Sequence, residues 1–145
     1  MNAINSDYKF AAHLAMYPPC FAEPSIVEFT DSPIHILIGE YDEWTPADAC
    51  VDLVSLMKDN NVNVDITVYD GAHHSFDRDS EIRVAENGYS FKDCRFKMND
   101  EGAVLMNYFN IPMTNWFLQK VGFAFCAERD PKYGGHPSSR KKSFK

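Results

Sequence analysis

A chain of 145 residues is long enough for one domain with a real hydrophobic core and too short for two. Its 45% hydrophobic and 24% charged content excludes wholesale disorder. The net charge of −7 argues against a nucleic-acid partner, which needs a basic face to displace phosphate counterions. No apolar run approaches the roughly 20 residues that span a bilayer.

The opening stretch, MNAINSDYKF, lacks the charged-then-apolar order of a secretion signal. Residues 10–17, FAAHLAMY, are small and apolar and stop at Pro18-Pro19, which predicts a short buried strand. A loop follows, with Pro24 and an Asp31-Ser32-Pro33 turn signal. Ile34 to Ile38 is apolar except for His35 and is bounded by Pro33 and Gly39, the pattern of a strand covered on both faces of a parallel sheet. The clearest helix spans 46–59, with Thr45 as N-cap, Pro46 in the first helical position and Asp48 in the first turn. Ala47, Cys50, Val51, Leu53, Val54 and Met57 give it one apolar face, and Asn60-Asn61 closes it. Val62, Val64, Ile66 and Val68 alternate with Asn63, Asp65 and Thr67, which predicts a strand over 62–69. Strand, helix and strand in this order form a βαβ unit, and that crossover implies a parallel sheet with helices packed on it.

Beyond residue 78 the pattern weakens. SFKDCRFKM and AVLMNYF flank an Asn99-Asp100-Glu101-Gly102 turn and suggest a hairpin. Thr114 opens a helix reaching about Cys126, KYGGHP (132–137) reads as loop, and Ser138 caps a closing helix over 138–145. Arg140, Lys141, Lys142 and Lys145 give that helix a solvated basic face. The segment 85–126 is expected to be an insertion or lid on an α/β core spanning 10–78.

In a parallel α/β sheet, functional groups gather on loops at the carboxyl ends of the strands. Two such loops are GEYDEWTP (39–46) and DGAHHSF (70–76). A carboxylate on the first can meet an imidazole on the second, and an acid that orients a histidine serves to activate a nucleophile for acyl transfer. Glu40 and Glu43 compete with Asp42 for the acid role, although Glu43 is expected to face solvent. Adjacent side chains on an extended segment point to opposite sides, so His73 and His74 are not expected to share a metal. His13 and His35 read as core histidines within strands, and His136 as loop. The four cysteines lack CxxC spacing, which lowers the odds of a zinc ribbon or redox motif. Their even number suits two disulfides or four free thiols equally.

Together, YPPC (17–20), ILIGEYDEWTPADAC (36–50) and VYDGAHHSFD (68–77) resemble the dienelactone hydrolase family of α/β-hydrolases. KYGGHPSSR is similar to the segment leading into that family's last helix. The resemblance implies hydrolysis of an ester or lactone through a covalent acyl-enzyme, with no cofactor. By the G-E-x-D-x-x-T-P and G-A-x-H-x-F loops, Asp42 is the acid, His74 the base and His73 a neighbour. The family's G-x-[S/C]-x-G nucleophile elbow occurs nowhere in the sequence, and Cys20, in Pro-Pro-Cys, lacks the glycines such a turn needs. The expectation is therefore a single partial domain over 1–145: the C-terminal half of an α/β-hydrolase, truncated at both ends and inactive alone.

Cys20 and Cys50 lie near the same sheet edge and are expected to pair, leaving Cys94 with Cys126. Pairing would favour a periplasmic or secreted protein, and free thiols a cytoplasmic one. Tyr17, Trp44, Phe76 and Phe21 are candidates to line an apolar substrate pocket. The expected partners are the ester or lactone substrate of the intact enzyme and a missing N-terminal half. The alternative is a non-catalytic module that forms a homodimer through an exposed sheet edge.

Overall fold

The computed structural model describes residues 10–27 and 29–144; Lys145, the end of the basic tail, lies outside them. The chain runs β1 (His13–Met16), β2 (Ala22–Glu23), β3 (Ile34–Gly39), α1 (Ala47–Asp59), β4 (Val64–Tyr69), β5 (Arg83–Val84), β6 (Tyr89–Ser90), β7 (Phe96–Met98), β8 (Val104–Leu105), α2 (Trp116–Phe123), β9 (Glu128–Arg129), β10 (Lys132–Tyr133) and α3 (Pro137–Ser143). It is a mixed α/β fold whose main sheet is parallel, in the order β1-β3-β4.

The central strand explains that order. Ile34, Ile36 and Ile38 alternate with His35 and Leu37, so both faces of β3 carry apolar side chains and both must be covered. On one face Ile36 and Ile38 pack with Val64 of β4 against Ala47, Cys50, Val54 and Met57 of α1. On the other, Leu37 joins Tyr69, Ala72 and Phe76, with Met16 and Tyr17 at the margin. Register is in step along all three strands, with Ile36 opposite Ala15 on one side and Ile66 on the other.

Several local details differ from the sequence expectation. The N-cap of α1 is Pro46, in extended conformation and without a side-chain cap bond, since proline carries no side-chain acceptor; the Thr45 hydroxyl donates instead to Asp42 Oδ2. Its buried face includes Ala49 but not Val51, which is exposed. Asn60 ends the helix as C-cap and Asn61 takes a left-handed conformation. Asparagine tolerates this better than most residues. Val68 is exposed although its period matches buried Val64.

A second cluster of Cys94, Phe96, Met106 and Met113 forms the small core of the segment from β6 to β9. Here β7 and β8 make the predicted hairpin around the Asn99–Gly102 turn. β2 adds to β7 in parallel, and Phe21 stacks on Phe91, which ties this core to the main one. The expected helix from Thr114 is shorter, Trp116–Phe123, because Asn115 takes the cap and accepts from the Leu118 amide. KYGGHP is not plain loop: Lys132–Tyr133 pairs antiparallel with β5. The final helix begins at Pro137 with His136 as N-cap, so Ser138 sits inside its first turn. Its last turn carries Arg140, Lys141 and Lys142, where cations favour the helix C-terminus. Among the described residues, no helix is long and apolar enough to cross a membrane.

Candidate active site

Parallel pairing brings the loops after β3 and β4 to one edge, and short-range bonds stitch them together. The Glu40 amide donates to the Tyr69 carbonyl at 2.9 Å and the Tyr41 amide to the Ala72 carbonyl at 2.9 Å. The Glu40 carboxylate in turn accepts from the Gly71 amide at 2.9 Å. This close approach depends on Gly39, where a Cβ would lie 2.3 Å from the Ala72 carbonyl oxygen. Gly71, at φ 66°, makes the turn that side chains rarely adopt.

Asp42, only 3% exposed, is the most heavily bonded side chain of this edge. One carboxylate oxygen, Oδ1, accepts the backbone amides of Trp44 at 3.0 Å and Thr45 at 2.8 Å. The other, Oδ2, accepts the Thr45 hydroxyl at 3.0 Å and faces His74 Nδ1 at 2.9 Å. A carboxylate offers about four lone-pair sites, and all four are taken. Because the atom facing Nδ1 is an acceptor, Nδ1 carries the hydrogen, and in the neutral ring Nε2 keeps its lone pair. Among the described residues Nε2 makes no hydrogen bond, which suits a general base.

The imidazole is held on its faces as well as at Nδ1. Trp44 stacks on it at 4.9 Å between centroids, and Tyr17 lies 4.5 Å away at a tilt of 55°. The Trp44 indole N–H is buried without a partner among the described residues, so the ring is placed by stacking rather than by its donor. Tyr17 has φ 40°, a sterically costly value for a bulky residue, and precedes Pro18, which restricts it further. Its amide donates to the Leu37 carbonyl and its hydroxyl to Asp77, so the strained residue is anchored at both ends. Burial, and then the charge of Asp77, push the Tyr17 phenol above its ordinary pKa of 10.0. From below, Gly134 donates its amide to the His74 carbonyl, and His136 donates to Phe76.

Other expected site residues are placed differently. His73 turns away from His74 and its Nδ1 meets the Tyr41 carbonyl at 3.1 Å. Glu43 does not simply face solvent: its carboxylate accepts the Lys132 amide at 2.8 Å, and its carbonyl accepts from Phe91 and Ser90. Phe76 is fully buried against Tyr69 in the core, and Phe21 belongs to the junction with the second core. The cleft beside Asp42, about 560 Å³, is charged rather than apolar; Glu40, Glu43, His73, Lys92, Arg95 and Lys132 line it. Neither Trp44 nor Tyr17 contributes to it. Of the histidines expected in the core, His35 is half-buried and bonded to the Thr67 hydroxyl at 2.8 Å, while His13 packs edge-on to Phe10. Cys20 is joined to Cys50 and Cys94 to Cys126, and there are no free cysteines among the described residues. Two features escaped the sequence reading. Thr45 looked like a helix cap because Thr-Pro is a cap signature, and the latch by residues 133–136 gave no signal beyond glycine content.

A scan against protein-family models matches the dienelactone hydrolase family over residues 1–101. Comparisons with the curated proteins and with the solved structures return no match. The family match spans more than half of the chain, and the matched residues include both loops and the Asp42–His74 pair. The chain belongs to the dienelactone hydrolase family of α/β-hydrolases.

Proposed function

We propose that this chain supplies the acid and base of an ester or lactone hydrolase whose nucleophile lies on a segment outside these residues. The observation that carries the reading is the 2.9 Å contact between His74 Nδ1 and a fully bonded, buried Asp42. In this reading His74 Nε2 takes the proton of a serine or cysteine as it attacks the carbonyl carbon. Asp42 fixes the tautomer and faces the imidazolium that results. The proton then passes to the leaving alkoxide, and water repeats the cycle on the acyl-enzyme. No cofactor enters this chemistry.

The fold reading follows from the same proposal. The chain is one partial domain, the C-terminal half of an α/β-hydrolase, with the segment from about 85 to 126 as insertion or lid and α3 as the start of a closing helix. The absence of a G-x-[S/C]-x-G elbow from the sequence supports the reading, as does the engagement of all four cysteines in disulfides. Paired cysteines also favour an oxidising compartment. Loss of the nucleophile from a triad costs on the order of 10⁶ in turnover, so the purified chain is expected to show no hydrolysis of an activated ester above background. Turnover by this chain alone, abolished by His74→Ala, would overturn the assignment of the nucleophile to another segment.

A second reading has its own observation. Among the described residues, strand β1 pairs with β3 on one side only, and Leu14 on it is 61% exposed. Such an edge is a template for a further strand. A non-catalytic module would use it to form a homodimer, whereas the hydrolase reading gives it to the missing half. Sedimentation of the purified chain as a stable dimer, insensitive to His74→Ala, favours the module.

A further inference from the structure

We infer that Thr45 is a positioning residue for the acid–base pair: its hydroxyl sets the plane of the Asp42 carboxylate so that Oδ2 faces His74 Nδ1. The inference rests on the proposed roles of Asp42 and His74, and it follows from how the four bonds to Asp42 are distributed. Both backbone amides, of Trp44 and Thr45, converge on Oδ1. Two donors at one oxygen fix a point but leave the carboxylate able to pivot about it. The Thr45 hydroxyl, 3.0 Å from Oδ2, is the third anchor and the one on the oxygen that meets the imidazole.

The same hydroxyl lies 3.4 Å from His74 Nδ1, so Thr45, Asp42 and His74 form a closed triangle. Only one placement of hydrogens satisfies it. If the hydroxyl donated to Nδ1, the lone pairs of Nδ1 and Oδ2 would oppose each other at 2.9 Å. With the hydroxyl hydrogen on Oδ2, Nδ1–H points between two acceptor oxygens and Nε2 is the free base. Thr45 therefore biases the ring toward the tautomer that the chemistry requires. Its backbone amide alone would not do this, which is why a side-chain donor stands where a helix cap was expected.

The test reads the His74 ring directly in the chain as it stands. With histidine labelled with ¹⁵N, wild-type His74 is expected as the Nδ1–H tautomer with a far-downfield, slowly exchanging ring proton; loss of the signal in His74→Gln assigns it. In Thr45→Val the proton should exchange with water about tenfold faster, the factor carried by one hydrogen bond to a charged group, and an Nε2–H population should appear. Thr45→Ser should restore the wild-type signal. The His35 ring, bonded to Thr67 in the sheet, reports the fold. If Thr45→Val disturbs it, Thr45→Ala is read instead, and loss of fold in both overturns the inference in favour of a purely structural Thr45. An unchanged His74 signal in a folded Thr45→Val also overturns it. A wild-type His74 already in the Nε2–H form would instead refute the acid–base reading itself.

Discussion

Replacing Asp42 by alanine tests whether this edge of the sheet is built around one carboxylate. The substitution removes the acceptor for four donors: the amides of Trp44 and Thr45, the Thr45 hydroxyl and His74 Nδ1–H. A buried donor left unpaired costs about 1–3 kcal/mol. Trp44, Thr45 and His74 are only partly buried, so water reaches some of these donors and the lower end applies to each. The sum is about 3–4 kcal/mol, which for a chain of this size lowers the melting temperature by roughly 10 °C. Thermal and urea denaturation followed by circular dichroism measures it. Glu40→Ala is the control, since among the described residues that exposed carboxylate accepts only the Gly71 amide, and it should shift stability by no more than about 0.5–1 kcal/mol. If Asp42→Ala melts within about 2 °C of wild type, or if Glu40→Ala costs as much, the carboxylate does not organise the loops and the reasoning fails.

Two further outcomes bear on the scaffold and on pH. Each disulfide closes a loop of similar length, with separations of 30 and 32 residues, and chain entropy assigns each about 3.5 kcal/mol. Paired serine replacements at Cys20/Cys50 and at Cys94/Cys126 should therefore cost similar amounts in urea titrations, and a pair whose loss costs nothing contradicts this account. The raised pKa of Tyr17 means that the neutral phenol is favoured in the fold: burial comes first, the Asp77 charge second, and Arg78 opposes them. Its contribution to stability is fully present below the ordinary pKa of 10.0 and is lost as pH rises through the higher folded value. Tyr69, also raised by burial, behaves the same way. Tyr17→Phe should thus flatten the alkaline limb of the stability profile without abolishing it; an unchanged limb would show that Tyr17 is not neutralised by its surroundings.

The sequence by itself determined the parallel βαβ core and the two loops that carry the candidate site. A run such as Ile34–Ile38 has apolar side chains on both faces and is stable only when sheet and helix cover both, and α1 follows from the periodicity around 46–59. Because parallel strands end on the same edge, the meeting of the loops after β3 and β4 was also legible; within them the residues alone left Glu40 and Glu43 beside Asp42 as candidate acids, and the family resemblance pointed to Asp42 and His74. What only the tertiary structure decided were the partners of individual polar groups. Thr45 reads locally as a cap, yet α1 has no side-chain cap bond and the Thr45 hydroxyl donates to the buried Asp42 carboxylate at 3.0 Å. Glu43 reads as a surface charge, but Lys132, far along the chain, brings it a backbone amide. Trp44 and Phe76 both read as pocket-lining aromatics. The fold buries Phe76 in the core and lays Trp44 on the His74 ring. Periodicity and turn chemistry act between near neighbours in sequence, so they specify elements and edges. The pairing of hydrogen-bond donors and acceptors is a long-range matter, settled only when distant segments converge on one site.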